Sequence, residues 1–163
     1  MASGDTLLIL DVRSRKQPSS NYATDDERNG HSVLDFDGAT NESAIFEAVM
    51  PRHYAGGGVT VYLHYSMATE TSGDIDWDVA FERIGDQQLD IDADSFATVQ
   101  SVDGTTVPGT SGNVDIVSVA FTDGAQMDSV AAGEAFRLQI TRDAANDTST
   151  GDAELVAIEI KES

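Results

Sequence analysis

The sequence predicts an all-β protein, an antiparallel β-sandwich of jelly-roll type with about eight to nine strands and an extended N-terminal arm. Three observations predict it. Apolar residues recur with a period of two along several separate segments. Gly- and Asp-rich turns divide those segments at short spacing. No stretch carries an apolar stripe at helical spacing.

Taken in chain order, Leu7 to Val12 is a short apolar run and the first expected strand. Arg13 to Gly30 is polar, contains Pro18-Ser19-Ser20 and Tyr22, and carries Arg13, Arg15 and Lys16. A structureless stretch of this length inside a compact domain is uncommon and is usually functional or mobile. Its cations stand out in an otherwise acidic chain, which predicts an arm laid across a neighbouring subunit. Residues 1–30 are therefore read as a strand plus a polar arm of one jelly-roll domain spanning 1–163.

Val33 to Phe36 is extended and ends at Asp37-Gly38, a turn pair. Ala44 to Met50 closes at Pro51, which has no N–H to give a ladder. Gly56-Gly57-Gly58 reads as a hairpin loop tolerating positive φ. Val59, Val61, Leu63 and Tyr65 then alternate with Thr60, Tyr62, His64 and Ser66. Ile75, Trp77, Val79 and Phe81 alternate with Asp76, Asp78, Ala80 and Glu82, which places Trp77 in the core. Phe96 to Val102 is expected to stop at the tight turn Asp103-Gly104. Val114 to Phe121 is apolar on both faces and is expected to be a central strand. Gln126 to Ala132 fits a short turn. Phe136, Leu138 and Ile140, then Val156, Ile158 and Ile160, complete the alternating set.

A chain of 163 residues can bury one substantial core. It contains no cysteine, so disulfides and thiolate chemistry are excluded. Its formal net charge is -20, with 20 Asp, 9 Glu and only two lysines, Lys16 and Lys161. A duplex-binding surface needs clustered Lys and Arg, so nucleic-acid binding is not expected. Attachment to an anionic membrane is not expected for the same reason. No apolar run approaches the roughly 18 residues of a membrane span. The Met1-Ala2-Ser3-Gly4-Asp5 start lacks the basic region of a secretory leader. The charge itself reads as a solvated, self-repelling surface.

Catalytic chemistry needs converging reactive groups. His31 and His53 fall in expected turns and His64 on the wet face of a strand, without metal-ligand spacing. There is no Gly-x-Ser-x-Gly elbow and no Gly-rich loop with a phosphate-binding Lys. No catalytic residue, cofactor or metal is therefore expected. Asp76 and Asp78 flank Trp77 and read as the wet side of their strand; they are also the pair a sandwich hydrolase would use. Asp90-Ile91-Asp92-Ala93-Asp94 resembles half a calcium loop, but Ser95 and Ser101 stand where Gly and Glu are needed, so a solvated turn is expected. Tyr62 and His64 are amphipathic side chains on an exposed face, as interfaces favour. With Arg13, Arg15, Lys16 and Tyr22 they make up the expected contact residues.

Asn29 to Phe36, Gly57 to Tyr65, Asp76 to Arg83, Ala132 to Asp143 and Thr150 to Leu155 together resemble the corresponding stretches of a group of small virion structural proteins of tailed bacteriophages. The likeness runs over most of the chain from about residue 29 onward. It implies a small jelly roll acting as a capsid decoration (cement) protein on the capsid exterior, without catalytic residues. The implied partners are two further copies, as a homotrimer, and a major capsid protein. The alternative is a carbohydrate- or receptor-binding module of a phage fibre or spike, contacting glycan near Tyr54, Tyr62 and Gly56 to Gly58.

Overall fold

The alternating segments pair into ten strands in a computed structural model, which describes residues 4–87 and 89–163. Met1 to Ser3, part of the start expected to lack a leader, lie outside the described residues, as does Gln88. The strands are β1 (Thr6–Leu10), β2 (Thr24–Arg28), β3 (His31–Phe36), β4 (Glu42–Val49), β5 (Val59–Met67), β6 (Asp74–Ile84), β7 (Gln100–Thr106), β8 (Asp115–Phe121), β9 (Ala135–Arg142) and β10 (Ala153–Glu162). One sheet has the order β2-β3-β10-β5-β8, with β1 paired to β10 beyond the end of β3. The other has the order β4-β9-β6-β7. All the strand pairs are antiparallel, and the two sheets form the expected jelly-roll sandwich.

The core lies between the sheets and is built by the alternation itself. Leu34 and Phe36 of β3, Val61, Leu63 and Tyr65 of β5, and Leu155, Ile158 and Ile160 of the last strand face inward from one side. Ile75, Trp77, Val79 and Phe81 of β6 meet them with Phe136, Leu138 and Ile140 of β9. Trp77 is fully buried, edge-on to Phe36 at 5.1 Å and to Tyr65 at 5.6 Å between ring centroids. Each fully buried side chain of this kind contributes about 1.5–3 kcal/mol over leaving it in water.

Four expectations are corrected. The segment from Arg13 to Gly30 is structured. It holds a 3₁₀ turn at Val12–Ser14, capped by the Asp11 carboxylate, and then β2. Between them Lys16 bridges Ile45 and Tyr22 bridges Ser43, so the expected arm lies along β4 of its own body. Its strand, Thr-Asp-Asp-Glu-Arg, is polar because it sits at a sheet edge and is held by backbone bonds rather than by burial.

The strand expected at Phe96 to Val102 begins later, and Asp103-Gly104 lies within it. Ile75 opposes Thr105 while Trp77 opposes Val102, so one extra residue is accommodated there as a bulge. Gly104, at φ +65, turns its N–H to the Asp76 carboxylate, which stabilises the bulge instead of ending the strand. Gly56-Gly57-Gly58 is not a hairpin loop, because β4 and β5 belong to different sheets. Finally, β8 is an edge strand, not a central one. Val117, Val119 and Phe121 enter the core, whereas Ile116, Ser118 and Ala120 face solvent.

A candidate binding groove on the six-stranded sheet

The pair Asn29-Gly30 forms a two-residue turn with φ of +49 and +81, the type I′ geometry that suits a tight hairpin. It sets Arg28 opposite His31 on the outer face of the sheet. There Arg28, Asn29, His31, Val33, Ser66, Gly112, Val114 and Val156 enclose a groove of about 350 Å³. Beneath it Glu154 is nearly buried, and Arg28 Nη1 donates to its Oε2 at 2.6 Å and to the Met67 carbonyl at 2.7 Å. Ser66 Oγ donates to the same carboxylate oxygen at 3.2 Å. The guanidinium is thus oriented by two buried acceptors, while part of it stays open to the groove.

Val156 occupies a bulge where β10 gains one residue over β5, and it forms a wall of this groove. The same residue bounds a neighbouring notch of about 410 Å³, lined by Ile9 to Arg13, Ser32 and Ala157. The two depressions are neighbours, with Val156 as their common wall. Val33, Val114 and Val156 give it apolar walls, and Arg28, His31 and Ser66 supply polar contacts.

A row of polar side chains crosses four strands at the inner end of the groove: Thr24, Asp35, Glu154 and Ser66. Asp35 is half-buried, and its Oδ1 has no hydrogen-bond partner. Burial, followed by the charges of Asp152, Glu154, Asp26 and Glu42, pushes its carboxyl up to about 6. Within the fold Asp35 therefore keeps a proton that the unfolded chain releases above 3.8. Its contribution to stability is full below that value and is lost as pH rises towards about 6. A two-unit shift corresponds to about 3 kcal/mol, which partial exposure discounts to about 1 kcal/mol. Asp35→Asn is expected to stabilise the protein by that amount at neutral pH and to flatten the difference between pH 4 and 6. Urea midpoints of both proteins across that range check it, and parallel pH profiles would refute it.

The expected contact residues do not come together. Arg13 is exposed and its Nε donates to the Ser32 hydroxyl; Arg15 Nη2 pairs with Asp25 Oδ2 at 2.8 Å. Lys16 and Tyr22 lie beside β4 on the opposite sheet. Tyr62 and His64 are half-buried on the outer face of β5. Tyr62 stands between Glu159 and Ser118, and His64 between Ala157 and Ile116. Tyr54, a residue of the expected glycan contact, is buried: its hydroxyl donates to Asp123 and accepts from the Gly58 N–H, pinning the glycine loop.

The remaining polar candidates are held in the fold. Asp76 is buried on the Gly104 N–H rather than wet, and Asp78 accepts from the Ser101 hydroxyl. Burial raises the Asp78 carboxyl above its ordinary value, and Asp143, Asp103 and Asp76 add to the effect. Asp90 accepts the Asp92 N–H and caps a turn through Asp94. His31, expected in a turn, is the first residue of β3 and lines the groove. Sequence reasoning passed over Arg28 because β2 was assigned to the arm, and over Asp35 and Glu154 because the alternation does not reveal that β3 and β10 are neighbours. Asn-Gly between two extended segments was the signal that could have found β2.

A jelly-roll sandwich with a groove on one sheet defines a fold class rather than a single protein. No protein-family model and no curated protein matches the sequence. Among solved structures, the chain is similar to a family 35 carbohydrate-binding module from an environmental isolate, at 12% identity and a TM-score of 0.55, covering 96% of this chain and 98% of that one. It is also similar to the CBM22-1 xylan-binding domain of Paenibacillus barcinonensis Xyn10C, at 10% identity and a TM-score of 0.54, covering 99% and 97%. The Bacillus thuringiensis insecticidal crystal protein Cry7Ca1 aligns at 10% identity and 0.54 over 95% of this chain but 22% of its own. At such identities the likeness establishes the sandwich.

Proposed function

We propose that the protein is a non-catalytic binding module whose groove takes a segment of neutral carbohydrate. The observation that carries this reading is the oriented Arg28–Glu154 pair, with Ser66 and His31, set among valine walls. Sugar rings present C–H faces to apolar walls and hydroxyls to fixed donors and acceptors, a combination that this groove supplies. The neighbouring notch favours a chain over a monosaccharide. A net charge of -20 repels anionic polymers at low salt, which points to a neutral one. The full-length likeness to carbohydrate-binding modules supports the same reading.

Affinity electrophoresis and titration calorimetry against soluble neutral xylans, mannans and glucans test it. The wild type is expected to be retarded by at least one of them. His31→Ala and Val114→Asp leave the Arg28–Glu154 pair intact and are expected to weaken binding about tenfold, or about 1.4 kcal/mol. Binding to none of these polymers, or equal binding by the groove variants, would reject the reading.

A second reading is a virion decoration protein, with a homotrimer and a capsid protein as its partners. It is favoured by Ile9, Val114 and Ile116, which are exposed on the same sheet as Tyr62 and His64 and suit a protein contact. Rebinding of the purified protein to capsids stripped of it tests this reading.

A further inference from the structure

We propose that β8 is a self-association edge, on which a second copy of this chain pairs antiparallel about Ser118 and joins two six-stranded sheets into one. The two edges of the sheet differ in a way that burial does not require. The β2 edge carries Asp25, Asp26 and Glu27, charges that discourage strand addition. The β8 edge carries no charge from Ile116 to Phe121, although the chain as a whole is strongly acidic.

Its backbone is also open at the centre, and pairing exchanges the Asp115 bond to the Ile116 N–H for one to the second copy. The Ile116 N–H bonds to the Asp115 side chain and the Thr122 N–H to the Gln126 side chain. Both groups therefore point away from β5. In an antiparallel ladder alternate residues share a direction, so Ser118 and Ala120 turn their N–H and C=O outward as well. Among the described residues, neither has a backbone partner outside the ladder with β5.

The strip is complementary to itself. With Ser118 on the two-fold axis, Ile116 falls opposite Ala120 of the second copy, and Val117 opposite Val119. Asp115 falls opposite Phe121, so no acid meets an acid within the strand. A partner with a charged or bulky central strand would lose this match, and the observed exposure of Ile116 would be relieved. Because each copy carries -20, association is expected to strengthen as salt screens the rest of the surface.

Sedimentation equilibrium on the full chain tests the proposal. The wild type is expected to show a dimer whose dissociation constant falls with added salt. Ser118→Lys sets two cations face to face at the axis, and Ser118→Pro removes an outward N–H. Both are expected to be monomeric at concentrations where the wild type is dimeric, with unchanged circular dichroism. Should the proline variant fold poorly, the lysine variant carries the test. A wild type that stays monomeric at its highest soluble concentration, a trimer, or a dimer that survives Ser118→Lys would each overturn the proposal. None of these results depends on whether carbohydrate binds in the groove.

Discussion

Replacing Arg142 with Met is expected to cost about 3–5 kcal/mol of folding stability, the range usual for breaking a buried ion pair. Arg142 is fully buried in β9, opposite Trp77. Its Nε donates to Asp147 Oδ2 at 2.8 Å, Nη1 to the Gly151 carbonyl at 2.6 Å, and Nη2 to the Ser149 carbonyl at 2.7 Å. A weaker bond reaches the Phe36 carbonyl at 3.4 Å. The guanidinium thus organises the whole turn between β9 and β10. The Asp147 side chain is itself buried, and burial, with the charges of Asp76 and Asp143, holds its carboxyl above the ordinary value despite Arg142. Methionine would fill the space and leave that carboxyl and the carbonyls without a donor. Domains of this size are usually stable by about 5–15 kcal/mol, so the variant would lose much of its margin. Urea unfolding followed by Trp77 fluorescence measures the loss. Adding Asp147→Leu should recover part of it, because the unpaired carboxyl is then gone. A change below about 1 kcal/mol in the single variant would show that the clamp contributes little.

Trp77→Ala is expected to cost about 3–5 kcal/mol, the usual range for removing a fully buried large aromatic. It would open a cavity between Phe36 and Tyr65 and end two edge-on ring contacts, each worth about 0.5–1.5 kcal/mol. Trp77→Phe should cost clearly less. The indole Nε1 is buried without a hydrogen-bond partner, so phenylalanine removes an unsatisfied donor along with some of the volume. Circular-dichroism melts with urea titrations would rank the three proteins, since both variants lack the fluorophore. Equal losses from Ala and Phe would mean that neither the ring contacts nor the orphan donor has the weight assigned here.

The two-residue period made most of the sandwich legible. It placed β5, β6 and β9 within a residue or two of their ends, because apolar residues dominate their inner faces. Extended by one more step, the period would have put Arg142 on the inner face after Phe136, Leu138 and Ile140, but the reading stopped at Thr141 and missed this buried charge. It failed where burial does not decide the strand. β2 has no apolar face, and only its backbone and the Asn29-Gly30 turn reveal it. β8 misled because Ile116 and Ala120 are apolar yet exposed, so composition imitated a central strand. Faces alone do not fix neighbours. The groove was illegible for that reason: Arg28, Ser66 and Glu154 meet only once β2, β3, β10 and β5 are known to be neighbours in that order.

That adjacency also governs how the protein is made. β10 follows every other strand in the chain, yet it lies between β5 on one side and β1 and β3 on the other. During synthesis the ribosome would release β1, β3 and β5 before the strand that joins them exists. Their greasy faces would wait for it, and nucleation would demand contacts between residues far apart in sequence, which slows acquisition of the native state. A nascent chain halted before Ala153 would be a substrate for chaperones rather than a smaller working protein.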